Sequence, residues 1–584
     1  MSSERWLNQI NAKSMSLLLA FLLGILVGYV IFGSQHDIQT SLLTGDTDSR
    51  LNISYITSTN GEIDSFSPDS RQIKNSSSST PVHGTSDVIQ ISSGKNKWNL
   101  DANIGQIGML LPGLVSNIVH YLWCERKIFE FQHYLSVLSV MKTISPDRII
   151  FHYAHYPRHD LQLYNTWFED MKKEFPFLDL DDLGNNSSVC SSTNSQRDYI
   201  YRTLHQQGGI YVHHNTIFFQ FPLRCRQNSV TNGLSNGVEG FIVMHQGAHY
   251  DGISSSVEKL VCLPAEAYFS ISNSNTSICA IKKGPYYPRN AWNRNDSFSQ
   301  RVNVLLYDSP QTPVAEPSNT SLIPNIGHMI WFGGGVMSFL FYLSCLSQIN
   351  ILKVDTLYIH GDKELQGSYW KELKTYQNVV FVKIIKSDLI FRKNIKIVNH
   401  MADVYRMIIM IRYGGIYTDA DAVWIKPIPS FLRQYDSVAS YDWPQMYNVY
   451  PDYIQCGVVL SKPGARYWKL SLETLIDFSD NMYGYNGLLK PYKMLERHPD
   501  TLFIYDKLQV MCWKLRCHPT WYPDFRDKNA DHTRYSNFNW RDANTFHWTD
   551  PTPDELKSED ALKRSNTMFA EIGKHILRAS GKVL

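Results

Sequence analysis

Hydrophobic and polar positions divide the chain into an apolar run, a polar stretch and two longer blocks with alternating patterns. Residues 15–33 are nineteen consecutive residues without a charge, and as a helix they would be about 28 Å long, enough to cross a bilayer. Residues 34–97 are rich in Ser, Thr, Asn, Asp and Gly, which predicts a disordered stem. Residues 309–319 contain three prolines and are predicted to link two folded blocks, 98–308 and 320–584.

In the second block, short β-branched runs alternate with segments of helical period. Residues 326–331, 356–360 and 379–385 have the length and composition of strands. Residues 337–349 and 401–412 have the period of helices. This alternation predicts an α/β fold in which helices cover a mostly parallel sheet, with ligands at the carboxyl ends of the strands.

The two blocks resemble copies of one unit. The matched segments, in chain order, are 116–123 with 324–331, 135–139 with 343–347, His152 with His360, 208–211 with 414–417, and 240–247 with 457–464. Because these matches keep their order, and the first three are separated by the same 208 residues, the sequence predicts a tandem duplication.

Basic residues flank the apolar run on one side only. Arg5 and Lys13 precede it, and the next basic residue is Arg50, so the positive-inside rule predicts a cytosolic tail of residues 1–14 and a lumenal remainder. A cleaved signal peptide is the competing interpretation, but the run is long for one and no A-x-A site follows it. The prediction is a single-pass type II protein of the Golgi membrane, with residues 15–33 as an uncleaved anchor.

Sequons and cysteines agree with a lumenal location. All acceptor sequons follow the apolar run, and they begin at Asn52, Asn75, Asn185, Asn186, Asn275, Asn295 and Asn319. All nine cysteines also follow it, where an oxidising lumen would allow disulfides such as Cys512 with Cys517. Because nine is odd, at least one thiol stays unpaired or pairs between chains.

The charge balance excludes one class of partner. Charged residues make up 19% of the chain and the formal net charge is +2, without a basic stripe, so nucleic acid is not a predicted partner. Aromatic residues reach 13%, and their flat amphipathic rings suit sugar-stacking surfaces as well as cores.

The residues that could carry chemistry are concentrated in one segment of the second block. A helical stretch ending near Arg412 leads into Gly414-Gly415, a short strand at 416–418, and then Asp419-Ala420-Asp421. Two carboxylates one residue apart at the end of a strand can bind one hard divalent cation that also holds diphosphate oxygens. Sugar transfer from a nucleotide donor needs such a cation, because Mg²⁺ or Mn²⁺ stabilises the charge that develops on the diphosphate leaving group.

Three ordered motifs in this block resemble the DXD sugar-binding-region glycosyltransferases. They are IPNIGHMIW at 323–331, ADVYR at 402–406 and GGIYTDAD at 414–421. That family includes fungal mannosyltransferases and vertebrate α-1,4-galactosyl- and α-1,4-N-acetylglucosaminyltransferases, with glucosylating bacterial toxins as distant relatives. The resemblance covers about residues 320–550 and implies a GT-A-like (Rossmann-like) fold, a nucleotide-sugar donor, Mn²⁺ or Mg²⁺ dependence and transfer with retention. A UDP-sugar is favoured over a GDP-sugar.

The resemblance also implies roles for four charged residues, which are the predicted catalytic group. Asp403 and Arg406 lie at i and i+3 on one helical face and are assigned to sugar hydroxyls and to sugar or phosphate oxygens. An ordinary surface ion pair is the alternative for these two. Asp421 is assigned as the direct metal ligand, whereas Asp419 binds ribose or sugar and contacts the metal through water.

Aromatic and imidazole side chains complete the predicted site. Trp331 is assigned to the nucleotide base, on which an indole can stack, with a core tryptophan as the alternative. Tyr417 is expected to border the donor site. The segment ANTFHW at 543–548 resembles the closing segment of these enzymes, so that His547 and Trp548 would lie near the diphosphate. His547 is assigned as a metal ligand or as a proton donor to the leaving phosphate.

The first block departs from the family pattern where the chemistry would be. Aligned on Gly208-Gly209, His213-His214-Asn215 replaces the acidic motif, and Arg197 falls where Asp403 would be. A neutral pair of side chains is a poor site for Mn²⁺ that holds a diphosphate. The first block is therefore predicted to be a degenerate GT-A-like copy with a structural or acceptor-binding role.

The predicted function is transfer of a hexose or N-acetylhexosamine from a nucleotide sugar to a glycan, glycoprotein or glycolipid acceptor, by a protein that could form a homodimer. The principal alternative is a non-catalytic lumenal protein that binds glycans or assists assembly, against which the intact acidic motif argues. A glycoside hydrolase would also use two carboxylates, but these stand about 5 to 9.5 Å apart across the sugar and are not expected one residue apart on a strand.

Overall fold

The computed structural model describes residues 55–57, 114–159, 166–184, 188–227, 230–235, 238–248, 258–269, 277–292, 294–442, 452–522 and 538–582. None of the helices in these ranges is both long and apolar enough to cross a membrane. The predicted tail and anchor at 1–33 lie outside the described residues, as does the predicted stem apart from 55–57. Those three residues form strand β1 (Tyr55–Thr57), which departs from the disorder predicted for the stem at that point.

The first block alternates strands and helices through its described part. Its strands are β2 (Ile118–Trp123), β3 (Arg148–Tyr153), β4 (Leu178–Asp182), β5 (Gly209–Val212), β6 (Thr216–Phe218), β7 (Val230–Ser235), β8 (Val238–Met244), β9 (Glu258–Val261), β10 (Leu263–Pro264) and β11 (Cys279–Ile281). Its α-helices are α1 (Phe131–Thr143), α2 (Trp167–Glu174), α3 (Thr193–Gln207) and α4 (Ser297–Tyr307).

The second block repeats this alternation and adds elements at its end. Its strands are β12 (Ile326–Ile330), β13 (Gly335–Val336), β14 (Thr356–Gly361), β15 (Leu365–Gln366), β16 (Val379–Ile384), β17 (Leu389–Ile390), β18 (Lys393–Asn394), β19 (Gly415–Thr418), β20 (Ala422–Trp424), β21 (Ser437–Tyr441), β22 (Ile454–Ser461), β23 (Phe503–Ile504), β24 (Gln509–Trp513), β25 (Arg516–Pro519) and β26 (Thr545–Thr549). Its α-helices are α5 (Phe339–Leu346), α6 (Ser368–Leu373), α7 (Val398–Tyr413), α8 (Arg466–Glu473), α9 (Lys490–Arg497), α10 (Glu559–Arg564) and α11 (Met568–Ala579), and π-helical turns cover Ser347–Leu352 and Tyr485–Leu489.

The two main sheets have the same strand order. The first is β4-β3-β2-β5-β8-β7-β9, and the second is β16-β14-β12-β19-β22-β21-β23 with β1 added antiparallel to β16. In both sheets, the first four strands run parallel to one another. The fifth strand runs antiparallel to the fourth and to the sixth, and the seventh runs parallel to the sixth. The fold is thus α/β with mixed sheets.

The predicted elements of the second block occur within a few residues of their predicted bounds. The three predicted strands correspond to β12, β14 and β16, and the helix predicted at 401–412 is α7, which begins three residues earlier. The helix predicted at 337–349 is shorter as an α-helix, because α5 continues as a π-helical turn from Ser347. Residues 309–319, the predicted linker, contain neither helix nor strand.

In each sheet, two histidines on neighbouring central strands form a buried pair. His120 Nδ1 lies 3.1 Å from His152 Nε2, and His328 Nδ1 lies 3.0 Å from His360 Nε2. Burial lowers the pKa of His120 to about 4 and that of His328 to about 3, so the rings pair as neutral donors and acceptors. The repeated pair joins equivalent strands in both blocks.

The two blocks meet through buried and half-buried charges. Asp170 on α2 accepts hydrogen bonds from Lys493 at 2.6 Å and from Arg497 at 3.4 Å, and Arg497 also pairs with Glu174. The Arg497 guanidinium lies over the ring of Trp167 at 5.5 Å. Because buried ions must be paired to be tolerated, these contacts fix α2 of the first block against α9 of the second.

Cysteine pairing follows the prediction where one was made. Cys512 and Cys517 form a disulfide between β24 and β25, as predicted, and two further disulfides lie in the first block, Cys124–Cys190 and Cys262–Cys279. The three remaining cysteines are buried and take part in none of these disulfides, namely Cys225, Cys345 and Cys456.

The glycine pair before the acidic motif is required by close backbone packing. Gly415 has φ +93°, and a Cβ there would lie 2.6 Å from the Ile326 carbonyl oxygen. Gly209 in the first block has φ +114° and would meet the Ile118 carbonyl oxygen at the same distance. Both positions therefore need glycine for conformation and for space.

We expect Gly415→Ala to lower the free energy of unfolding by more than about 2 kcal/mol, because it adds a backbone clash to a left-handed conformation. Gly464→Ala is the matched control, since its φ is +73° but its nearest neighbour is the flexible Lys469 Nζ at 3.6 Å. The control should lose only about 1 kcal/mol. Thermal unfolding of both variants measures the difference, and equal losses would contradict the packing argument.

Candidate active site

The acidic motif lies in a turn between two strands at the carboxyl edge of the second sheet. Strand β19 ends at Thr418, and β20 begins at Ala422. The Asp419 amide donates to the Gly457 carbonyl at 2.7 Å, and the Ala422 amide donates to the Asp419 carbonyl at 3.1 Å. The turn is therefore fixed by backbone hydrogen bonds and does not depend on the aspartate side chains.

Two carboxylates and one imidazole converge at this turn. Asp419, Asp421 and His547 each offer a ligand atom within 4.8 Å of the others. His547 Nε2 lies 3.2 Å from Asp421 Oδ1 and 3.9 Å from Asp419 Oδ2. A methyl group on Gly457 would lie 2.6 Å from Asp419 Oδ2, so the missing side chain keeps this space open. The donor set suits Mn²⁺ or a similar divalent cation.

A second hydrogen bond orients the imidazole. The His547 ring extends from β26, and its Nδ1 lies 3.3 Å from Gln509 Oε1. Gln509 Nε2 donates to Ser440 Oγ at 2.8 Å, so the amide oxygen is the atom that faces the ring and Nδ1 carries the proton. Without a cation, a proton on Nε2 can be donated to Asp421 Oδ1, and after loss of that proton Nε2 offers the lone pair that a metal ligand requires. Burial by itself lowers the pKa of His547, but Asp421 and Asp419 raise it above the ordinary value.

Arg406 compensates the carboxylates from the opposite side. Its side chain is only 5% exposed, and Nη2 lies 3.2 Å from Asp419 Oδ1 while Nη1 lies 3.3 Å from Asp403 Oδ1. The guanidinium also lies over the Tyr417 ring at 4.6 Å, and the Tyr417 hydroxyl donates to Asp419 Oδ1 at 2.6 Å. Asp419 Oδ1 is therefore occupied, and Oδ2 is the oxygen directed toward His547.

Asp403 lies one turn before Arg406 on α7, as the i, i+3 spacing predicted. Its side chain is 16% exposed, and it packs so closely on Gly487 that a methyl there would lie 2.6 Å from Asp403 Oδ1. Burial raises the pKa of Asp403 to about 6, Arg406 opposes the rise, and Asp419 adds to it. Near neutral pH this carboxyl group can therefore gain or lose a proton in response to a ligand.

These side chains surround one open cavity of about 500 Å³, a size that suits a nucleotide sugar. Seven of the eight predicted site residues line it, namely Trp331, Asp403, Arg406, Tyr417, Asp419, Asp421 and His547. Trp331 is half-buried at the end of β12, where its Nε1 donates to the Gly334 carbonyl at 2.8 Å and its ring packs on Phe341. The residues that the sequence assigned to one site thus share a cavity.

The prediction for Trp548 needs correction. Its side chain is 1% exposed and belongs to the core of the second block, where the ring packs against Phe546 at 5.8 Å and Phe569 at 6.0 Å. Successive side chains on a strand point to opposite faces. Since His547 faces the cavity, its neighbour Trp548 must face the core.

Other cavity residues carry no signal in the sequence motifs. Gln455, Asp442, His400 and Tyr483 line the cavity, but they lie on segments that meet the acidic motif only after folding. Gly457 was recognised as a repeated glycine, and its position beside Asp419 explains the need for glycine there.

The first block lacks this constellation at the equivalent turn. His213 follows β5, burial lowers its pKa to about 3, and its Nδ1 accepts a hydrogen bond from the Asn215 amide at 3.2 Å. Counted from the paired glycines, the buried Ile200 occupies the place of Arg406. Neutral and apolar groups therefore replace both the carboxylates and their cation at this turn, in agreement with the sequence.

Comparison with known families identifies the segment that carries the site. Residues 345–438 match the family described as glycosyltransferase sugar-binding region containing DXD motif. The matched range includes Asp403, Arg406, Asp419 and Asp421. The resemblance noted in the sequence is thereby confirmed for this segment, which includes the motifs at 402–406 and 414–421.

Individual relatives are distant. Glucan organizing enzyme 1 of Cryptococcus neoformans var. grubii serotype A (strain H99) is 22% identical over 248 residues, which is 40% of this chain and 64% of that protein. Among solved structures, the galactosyltransferase LgtC in complex with donor and acceptor sugar analogs is 15% identical, covers 44% of this chain and 96% of its own, and has a TM-score of 0.29. The apo form of the glycosyltransferase GlyE of Streptococcus pneumoniae TIGR4 is 11% identical, covers 46% and 79%, and has a TM-score of 0.21.

The raised pKa of Asp403 predicts a stability that depends on pH in the metal-free protein. The folded-state pKa of about 6 exceeds the ordinary value of 3.8. The stabilising contribution of the neutral carboxyl is complete below about pH 4 and is lost as the pH rises through about 6. Asp403→Asn should therefore raise the melting temperature by a few degrees at about pH 7.5, with a smaller gain at about pH 4.5.

Asp554→Asn is the matched control for this measurement, because the Asp554 side chain is 89% exposed and should not affect melting at either pH. Melting curves without metal measure the effect. A lower melting temperature for Asp403→Asn at about pH 7.5 would contradict this prediction. It would show that the ion pair between Asp403 and Arg406 stabilises the protein by more than burial of the Asp403 charge destabilises it.

Proposed function

We propose that this protein transfers a hexose or N-acetylhexosamine from a nucleotide sugar to a glycan, glycoprotein or glycolipid acceptor, using residues 320–584 as a GT-A-like catalytic domain. The observation that carries the proposal is the convergence of Asp419, Asp421 and His547 within 4.8 Å in a cavity that also contains Arg406 and Asp403. Adjacent carboxylates that share an imidazole suit a cation better than they suit the separated acid and base of a hydrolase.

Asp419, Asp421 and His547 would hold Mn²⁺ or Mg²⁺, which supplies positive charge to the diphosphate leaving group. Gln509 keeps His547 in the tautomer that can bind a cation. Arg406, held by Asp419 and by the Tyr417 ring, brings a fixed positive charge to the same cavity, where it can bind sugar or phosphate oxygens.

Asp403 and Trp331 complete the donor site in this proposal. The Asp403 carboxylate accepts a hydrogen bond from a sugar hydroxyl, and this hydrogen bond favours the ionised form of Asp403. Trp331, at the end of β12, offers an indole face for the nucleotide base. Its hydrogen bond to the Gly334 carbonyl fixes the ring without the ligand.

The donor and the stereochemistry rest on the family resemblance, which favours a UDP-sugar and retention. The full-length protein in detergent, with Mn²⁺, can be tested for hydrolysis of UDP-Gal, UDP-GlcNAc, UDP-Glc and GDP-Man. With an accepted donor and an acceptor sugar, the anomeric proton of the product reports the linkage, and an α-linked product from an α-linked donor supports retention. Failure to hydrolyse any donor would favour the non-catalytic glycan-binding alternative.

The proposed location is the Golgi lumen, with residues 15–33 as the membrane anchor. Three disulfides support an oxidising compartment. Of the predicted sequons, Asn295 and Asn319 lie in the described residues, and both are exposed, as glycosylation requires.

We expect Asp421→Asn to lower transfer and Mn²⁺-dependent donor hydrolysis at least about 100-fold, because a metal ligand is lost from the leaving-group site. The Asp421 side chain is 47% exposed, so folding should be unaffected. Isothermal titration of Mn²⁺ and nucleotide should show weaker binding in parallel. The exposed Asp554→Asn variant is the control, and full activity in a folded Asp421→Asn protein would remove the metal hypothesis.

The first block is proposed to be a degenerate copy that supports the second. The common strand order of the two sheets and the repeated histidine pair support duplication. Its helix α2 is held against α9, which continues from a π-helical turn that contains Gly487, the residue against which Asp403 packs. The first block can therefore stabilise one wall of the cavity without contributing to the chemistry.

Two double variants test this division of roles. His213→Ala with Asn215→Ala should leave transfer within about twofold of wild type, whereas Asp419→Ala with Asp421→Ala should abolish it. The two pairs occupy equivalent turns. A loss of activity in only one of the variants is therefore not explained by general damage from a double substitution in such a turn. Initial rates and melting curves measure both effects, and an inactive but folded His213/Asn215 variant would make the first block part of the active site.

A further inference from the structure

His400 contributes a buried ring nitrogen to the cavity. His400 lies on the first turn of α7, is 1% exposed and lines the cavity, and its Nε2 makes no hydrogen bond among the described residues. A buried polar atom without a partner is costly. Such an atom in a ligand cavity is explained if a bound ligand supplies the missing hydrogen bond.

The other nitrogen of this ring is fixed. His400 Nδ1 lies 2.8 Å from Asp480 Oδ1, and Asp480 also accepts the backbone amides of Lys396 and Ile397 at 2.8 and 3.4 Å. A carboxylate that already accepts several hydrogen bonds is held ionised, so it accepts a further hydrogen bond from the Nδ1–H group. Nε2 is then left as a bare acceptor, which is suited to a donor group such as a hydroxyl.

Aromatic neighbours hold the imidazole and extend the surface. The Phe478 ring meets His400 edge-on at 6.0 Å, and the Tyr483 ring lies at 6.2 Å. Tyr483 is 71% exposed and lines the cavity, so its ring faces solvent at the mouth. An exposed ring next to a hydrogen-bond acceptor suits a sugar, which has apolar faces and hydroxyl edges.

Helix α7 orders these groups along the cavity. Arg406 contacts Asp419 beside the proposed metal site, Asp403 lies one turn before it, and His400 lies almost one turn before Asp403. At about 1.5 Å per residue, His400 is about 9 Å along the helix axis from Arg406. The position lies beyond the proposed donor sugar, on the side away from the diphosphate.

We propose that His400 and Tyr483 form the subsite for the acceptor sugar, in which His400 Nε2 accepts a hydrogen bond from an acceptor hydroxyl and Tyr483 covers one face of the ring. Asp480 is the positioning residue that fixes the tautomer of His400. This inference rests on the proposed transfer activity for its biological meaning, but the binding of a sugar at this place can be tested without turnover.

The first experiment is saturation-transfer NMR on the full-length protein in detergent, without donor or metal. The probes are the methyl glycosides of galactose, N-acetylglucosamine, glucose and mannose. We expect at least one glycoside to bind, His400→Phe and Tyr483→Ala to lose the signal, and Asp421→Asn to keep it. Absence of binding to the wild type, or equal binding to His400→Phe, would overturn the subsite.

The second experiment separates acceptor binding from donor chemistry. In His400→Phe, the KM for the acceptor should rise about tenfold through loss of one buried hydrogen bond, whereas the KM for the donor should change less. His400→Gln keeps an acceptor oxygen and should restore most of the loss. Asp480→Asn offers an amide that donates to Nδ1, so it should resemble His400→Phe in acceptor KM. A parallel fall in hydrolysis and transfer would instead place His400 at the donor.

The two proposals fail in different ways. If no donor is hydrolysed but a glycoside binds in a manner that depends on His400, the transferase proposal fails and the sugar subsite stands. If donors are hydrolysed and His400→Phe changes neither glycoside binding nor acceptor KM, the subsite fails and the transferase proposal stands.

Discussion

The active site of the second block depends on the buried guanidinium of Arg406. Asp403, Asp419 and Asp421 share a cavity, and such carboxylates repel one another unless positive charge lies among them. Arg406 supplies that charge from within the protein, because its guanidinium contacts Asp403 and Asp419 and rests on the Tyr417 ring. Asp421 is not paired with Arg406 in these contacts and instead faces His547, where a bound divalent cation would supply the remaining charge.

The first block has the same strand order but no counterpart of Arg406, and comparison of the two blocks shows which side chains the chemistry requires. Both sheets have the same order and strand directions, so the turn after the fourth strand lies at the same edge in each. In the first block this turn carries His213 and Asn215, and Ile200 stands in the place of Arg406. The two blocks therefore share the glycine pair and the buried histidine pair, while the side chains at one turn differ between them.

The arrangement of the site also has a stability cost. The Asp403 carboxyl is held at a pKa of about 6 by burial, and His400 keeps a buried nitrogen without a partner among the described residues. Glycines at 457 and 487 allow the Asp419 and Asp403 carboxyl groups to lie close to the backbone. Burial of a carboxyl group and of an unpartnered nitrogen is unfavourable in the empty protein.

The sequence determined the parts of the site that depend on local geometry. The helical spacing of Asp403 and Arg406, the strand and turn around Asp419 and Asp421, and the glycines before them follow from residues close together in the chain. The order of the predicted strands likewise followed from short-range pattern, whereas the pairing of the cysteines did not. The family resemblance supplied the more distant residues, and seven of the eight predicted site residues line one cavity.

Tertiary structure alone decided which distant residues meet. Gln509 was found behind His547, His400 was found against Asp480 across 80 residues of chain, and Trp548 faced the core because His547 faced the cavity. The sequence could not order these contacts, because they depend on how strands and helices from separate segments pack. Side-chain period fixes which residues share a face, but only packing decides whether that face meets the core or the ligand.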